Sequence, residues 1–124
     1  MKMQNNLGVW MDHSIANLID INATKKSHSI SSKFTYEMKK EILSRSEKTM
    51  HNKRQQLQGE YYKQISETIL KYDHVLLFGP TDAKIELHNF LNEDLHFKDV
   101  KIDVETADNM SDIEQASFVT KYFS

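Results

Sequence analysis

The chain contains no cysteine. A disulfide framework and thiolate metal sites are therefore excluded, and the composition suits a reducing compartment. Long apolar runs are also missing, since nothing approaches the roughly 20 residues needed to cross a bilayer. The start, MKMQNNLGVW, has no signal-peptide core, so a cytoplasmic location with no membrane contact is expected. Glycine is scarce: Gly8, Gly59 and Gly79 are too dispersed to cradle a nucleotide, and neither G-x-G-x-x-G, a P-loop nor a G-x-S-x-G elbow occurs. The six histidines show no HxH, HxxH or HExxH spacing. No metal and no cofactor is expected. What remains is an ordinary globular composition, 39% hydrophobic and 27% charged over 124 residues, enough for one domain, 1–124, with a core of its own.

The most informative stretch is 74–91, HVLLFGPTDAKIELHNFL. Val75, Leu76, Leu77 and Phe78 form an apolar run too short for a helix and without alternation, which fits a strand covered on both faces. Gly79 permits close backbone approach, and Pro80 supplies a preset φ for the first position of a following helix. Ala83, Leu87, Phe90 and Leu91 then share one helical face that returns over the sheet. Upstream, 7–12 and 15–21 read as two strands joined by a tight turn at His13-Ser14, with Val9 and Met11 facing one way and Trp10 the other. A third strand is expected across 28–38, where Ile30, Phe34, Tyr36 and Met38 alternate with polar residues.

Leu57, Tyr61, Ile65, Ile69 and Tyr72 form a helical stripe over 54–72, whose start is blurred by Gly59. Val100, Ile102 and Val104 alternate as a last strand at or near a sheet edge. Ser111 to Glu114 reads as a capping box opening a closing helix, with Ile113, Ala116, Val119 and Phe123 on its apolar side. The order is β-β-β-α-β-α-β-α, an α/β fold. Charge is unevenly spread: 39–54 carries six cations against two carboxylates, a net +4, within a chain of net charge −2. The stretch 93–114 holds eight carboxylates against two lysines. The first of these is read as a basic loop.

GVWMDHSIANLIDI at the start, the helix with EYYKQI, the LLFGPTDAKIELHNFL unit and the final ETADNMSDIEQ together carry a resemblance. The chain resembles small bacterial stand-alone proteins related to the middle domain of archaeal and eukaryotic class-1 peptide-chain release factors and of Pelota. The most specific part is Gly79, Pro80, Ala83, Lys84 and Leu87, supported by Glu105 to Asp112. The resemblance implies a ribonuclease H-like fold, a five-stranded mixed sheet with helices packed on it, and a role in translation through ribosome or tRNA contact. One departure is plain. Release factors hydrolyse peptidyl-tRNA with a Gly-Gly-Gln tip, and the corresponding stretch here, SRSEKTMHNKRQQLQGEYY, contains none. Hydrolase activity is therefore not carried over, and no catalytic residue is assigned.

In the same topological place the chain offers Arg45, Lys48, Lys53 and Arg54 as candidate contacts to an RNA backbone. The helix start at Gly79, Pro80 and Lys84 is a candidate anion site or simply a structural turn, with Asp82 filling the anionic role and Lys84 in an ion pair. Ile85 and Phe118 fall off the apolar sides of their helices and are candidates for a protein interface or self-association. A two-metal nuclease centre on Asp12 and Asp20 is excluded. The hairpin register separates them by about 16 Å, whereas such centres span about 4 Å. Asp12 is read as turn-stabilising. Two alternatives to an RNA-contacting module remain: a hydrolase of aminoacyl or peptidyl esters with a different tip, and a purely protein-binding regulator.

Overall fold

The computed structural model describes residues 5–20, 28–31 and 47–123. Five strands, β1 (Asn6–Met11), β2 (Ile15–Ile19), β3 (His28–Ser31), β4 (His74–Gly79) and β5 (Lys101–Thr106), form one sheet in the order β3-β2-β1-β4-β5. β2 is antiparallel to β1 and β3, whereas β4 is parallel to β1 and β5. Among the described residues the helices are α1 (Glu47–Ile69), α2 (Ala83–Asn92) and α3 (Asp112–Phe123), with one 3-10 turn at Leu95–Phe97. This is the mixed five-stranded α/β arrangement with three helices that the sequence implies, and β5 is an edge strand as expected.

Alternation along the central strands divides the core in two. Leu7, Val9, Met11, Val75 and Leu77 face α1 and α2, where Tyr61, Tyr62, Ile65, Ile69, Ala83, Leu87 and Leu91 close over them. Trp10, Leu76 and Phe78 face α3 and pack with Val119 and Ala107. Val75 to Phe78 are fully buried, so β4 is covered on both sides. Burial of each such side chain contributes about 1.5–3 kcal/mol relative to exposure.

Two glycines set close approaches. A Cβ at Gly8 would lie 2.2 Å from Val119 Cγ2, so α3 can lie against β1 only where the strand has no side chain. Gly79 has φ +151°, and a Cβ there would fall 2.2 Å from the Met11 carbonyl oxygen. Both the dihedral and the space favour glycine at the end of β4.

Three elements depart from the sequence expectation. α1 begins at Glu47, so Lys48, Lys53 and Arg54 stand in a helix rather than a loop. Residues 47–56 include no glycine or proline and are polar almost all round. They have the propensity for a helix without the amphipathic period that would betray one. α2 begins at Ala83, three residues after Pro80, which is exposed before the helix. Thr81 Oγ1 accepts from the Ala83 amide at 3.2 Å, whereas Asp82 makes no side-chain capping bond.

The third departure is the rotation of α3. Ile113 is 83% exposed, while Gln115 and Val119 are buried and Phe118 and Tyr122 are half-buried against the sheet. The capping box itself is present: Ser111 Oγ accepts from the Glu114 amide at 3.2 Å, and Glu114 accepts from the Ser111 amide at 3.3 Å. β3 is a strand over His28–Ser31, as expected for those residues, and Phe34, Tyr36 and Met38 lie outside the described residues.

Candidate functional site

β1 and β4 are parallel neighbours at the sheet centre, and the chain leaves their carboxyl ends in opposite directions. Such a point, beyond the ends of parallel strands, is where open α/β sheets place ligands. Here it is furnished by the β1–β2 turn, by α1 and by the start of α2.

The turn is built first. Asp12 Oδ1 accepts from the amides of Ser14 (2.7 Å) and Ile15 (2.8 Å), and the Asp12 amide donates to the Ile15 carbonyl at 3.0 Å. Asp12 is thus occupied with the turn, as expected. Asp20 is at the other end of the hairpin, one residue beyond the Ile19 that pairs with Gly8, and accepts from the Tyr72 hydroxyl at 2.8 Å. Burial and the Asp20 carboxylate push that phenol up to about 12.

α1 is then tied to the turn. Tyr61 donates its hydroxyl to the Asp12 carbonyl at 2.9 Å, and Gln58 donates to the His13 carbonyl at 3.4 Å. α2 joins through Glu86: His13 Nε2 donates to Oε2 at 2.7 Å and the Tyr62 hydroxyl to Oε1 at 3.0 Å. Burial holds both Tyr61 and Tyr62 well above the ordinary phenol range, so both remain protonated donors. The His13–Glu86 pair is accessible, with side chains 39% and 48% exposed. A carboxylate bonded to one ring nitrogen leaves the other nitrogen able to accept or donate a proton.

The sequence-derived candidates distribute unevenly around this end. Lys48, Lys53 and Arg54 occupy the first turns of α1, which starts at this end of the sheet. Arg45 lies outside the described residues. Lys84 is 3% exposed and donates Nζ to the Thr81 carbonyl at 2.5 Å, so its amine closes the turn after Gly79. Ile85 is 46% exposed. Phe118 is not a free surface residue: its ring stacks on Phe78 with centroids 4.7 Å apart, because α3 is rotated toward the sheet there.

Sequence reading does not reach the His13–Glu86–Tyr62–Gln58 connection. His13 and Glu86 are 73 residues apart, and only the turn signal at Asp12 to Ser14 marks the place. A second polar cluster sits at the amino end of the strands. Asp103 accepts from His74 Nε2 at 2.6 Å and from the Tyr122 hydroxyl, fastening the last turn of α3 to the sheet. Among the described residues no three His, Asp or Glu side chains group as metal ligands, and no helix is long and apolar enough to cross a membrane.

No family model and no curated protein matches the sequence. Among solved structures the chain is similar to Pelota of Archaeoglobus fulgidus, with a TM-score of 0.59 at 10% identity. The match covers 97% of this chain and 32% of that one, so the chain spans about a third of Pelota's length. The likeness is one of fold, a Pelota-like domain.

Proposed function

We propose that this chain is a non-catalytic, translation-associated module that contacts ribosomal RNA or tRNA through Arg45, Lys48, Lys53 and Arg54. The observation that carries the reading is the fold likeness to Pelota over 97% of the chain. The sequence resemblance to release-factor middle domains supports it. The absence of Gly-Gly-Gln argues against peptidyl-tRNA hydrolysis.

Four phosphate contacts give a salt slope of roughly −2.8 to −3.6 in log K against log salt, hence a loss of about 50–150-fold between 50 and 200 mM. The test is co-sedimentation with ribosomes and equilibrium binding to tRNA, beside a variant with all four cations changed to alanine. Salt-sensitive binding that disappears in the variant is the expected result. No association with either partner at low salt sinks the proposal.

The hydrolase alternative has one feature in its favour, the accessible His13–Glu86 pair, which has the composition of a general-base dyad. Release of the aminoacyl or peptidyl group from charged tRNA, lost in His13→Ala, is its signature. Absence of turnover by the wild-type protein removes it.

A further inference from the structure

α2 runs back from the carboxyl ends of the strands, so its last turn and the 3-10 turn that follows lie at the amino end of the sheet, away from the start of α1. There Phe90, Glu93, Asp94, Leu95 and His96 line an open groove of about 500 Å³. Its apolar part is Leu95, 81% exposed, beside the half-buried Phe90 ring. Its polar part is negative. Asp94 accepts from the His96 amide at 2.9 Å and the His96 ring at 2.6 Å, which holds its carboxylate in place. Those hydrogen bonds also keep its carboxyl below the ordinary range. Glu93 stands next to it at the end of α2, where the helix carbonyls add partial negative charge. Among the described residues the lining contains no lysine or arginine.

An apolar floor with an acidic rim fits a segment that alternates cations with aliphatic side chains. The chain itself carries one. Residues 39–54 hold Lys39 and Lys40, then Ile42 and Leu43, then Arg45 and Lys48, at a net charge of +4. α1 is about 34 Å long and holds the last part of that stretch, 47–54, at the opposite end of the sheet from the groove, so this part reaches the groove of another molecule and not its own.

We propose that the groove lined by Phe90, Glu93, Asp94 and Leu95 receives the basic stretch 39–54 of a second copy of this chain. The aliphatic side chains of that stretch complement Leu95 and Phe90, and its cations complement Glu93 and Asp94. Because the two surfaces differ, the contact is head-to-tail and leaves a free groove and a free basic stretch at the ends of each assembly. The inference rests on the proposed function in one respect: RNA and the groove compete for the same basic stretch, 39–54, so self-association and RNA binding exclude each other.

The test is sedimentation velocity over a concentration series at 50 and 500 mM salt, with Leu95→Ser and Glu93→Lys variants, whose thermal melts verify folding. Binding of a synthetic peptide of residues 39–54 is measured in parallel. Expected are a mass that rises with concentration at low salt only, and peptide binding at least ten-fold weaker in both variants. A single-chain mass throughout with no peptide binding, or association of equal strength in both groove variants, overturns the proposal. tRNA binding by the same groove variants separates the two readings. Retained tRNA binding without self-association in the wild type removes only the groove contact. Groove-dependent self-association without tRNA or ribosome binding removes only the RNA reading.

Discussion

Replacing Gly8 by alanine tests how α3 is seated on the sheet. The new methyl would lie 2.2 Å from Val119 Cγ2, 2.8 Å from Cγ1 and 3.0 Å from Cβ. Valine in a helix has one strongly preferred rotamer, so it cannot turn aside, and the helix itself must move. Overpacking of this kind costs about 2–3 kcal/mol. Val119→Ala alone removes two buried methyl groups at a cost of about 2 kcal/mol. In the double variant the methyl introduced at Gly8 enters the space that Val119 vacates, so the total loss is expected to be about 1–2 kcal/mol, well below the sum of the singles. Trp10, the chain's one tryptophan, is buried in the same cluster as Val119 and reports unfolding directly. Urea titration followed by its fluorescence should show the Gly8→Ala midpoint lowered by roughly 1–2 M and partly restored in the double variant. Additivity of the two losses within about 0.5 kcal/mol would refute the claim that Gly8 is there to admit Val119.

Gly79→Ala meets a positive φ and the Met11 carbonyl at once, and is expected to cost roughly 3 kcal/mol or more, read as a lowered urea midpoint. Ser111→Ala removes the N-terminal cap of α3 and should cost about 1 kcal/mol, or about 4 °C in Tm, by circular dichroism. Asp103 has its carboxyl held below the ordinary range, first by the Tyr122 hydroxyl and then by His74. Its stabilisation is therefore present above the ordinary carboxylate value and lost as pH falls through the lowered one. The same bond pushes Tyr122 up to about 12, so its contribution is complete below about pH 10 and fades as pH rises through 12. The stability difference between wild type and Tyr122→Phe should shrink at both limits, and a difference constant from about pH 2 to 7 would contradict the assignment.

The parts of this fold that are legible in the sequence are those where one physical signal acts alone. The run Val75 to Phe78, the turn at His13-Ser14 and the alternation of Val9, Trp10 and Met11 each admit one reading, and the sheet is built on them. The phase of α3 is not legible, because its inner face carries Gln115, a polar residue at 3% exposure. Gln115 is accommodated there by donating to the Met110 carbonyl at 3.0 Å and accepting from Asn17 at 2.9 Å. Neither partner can be inferred from a helical period, so the apolar pattern points to the exposed Ile113 instead. The first half of α1 is hidden for the opposite reason, since it is polar on almost all sides and has no stripe to find. At the candidate site the turn is readable and the convergence on Glu86 is not, because it depends on α1 and α2 meeting above β1.

The parallel pairing of β1 with β4 also fixes an order of events during synthesis. Beyond its hairpin with β2, β1 depends on a partner whose first contact, Asn5 with Asp73, spans 68 residues of chain. The hairpin gains only the four-residue β3 before β4 is made, and the small antiparallel sheet so formed carries apolar residues on both faces. At about 5–20 residues per second, it waits roughly 3–14 s after leaving the ribosome before β4 has been made. Over that interval Trp10 and Met11 have no native cover, and the amino-terminal quarter of the chain is the segment that a holding chaperone would have most reason to bind.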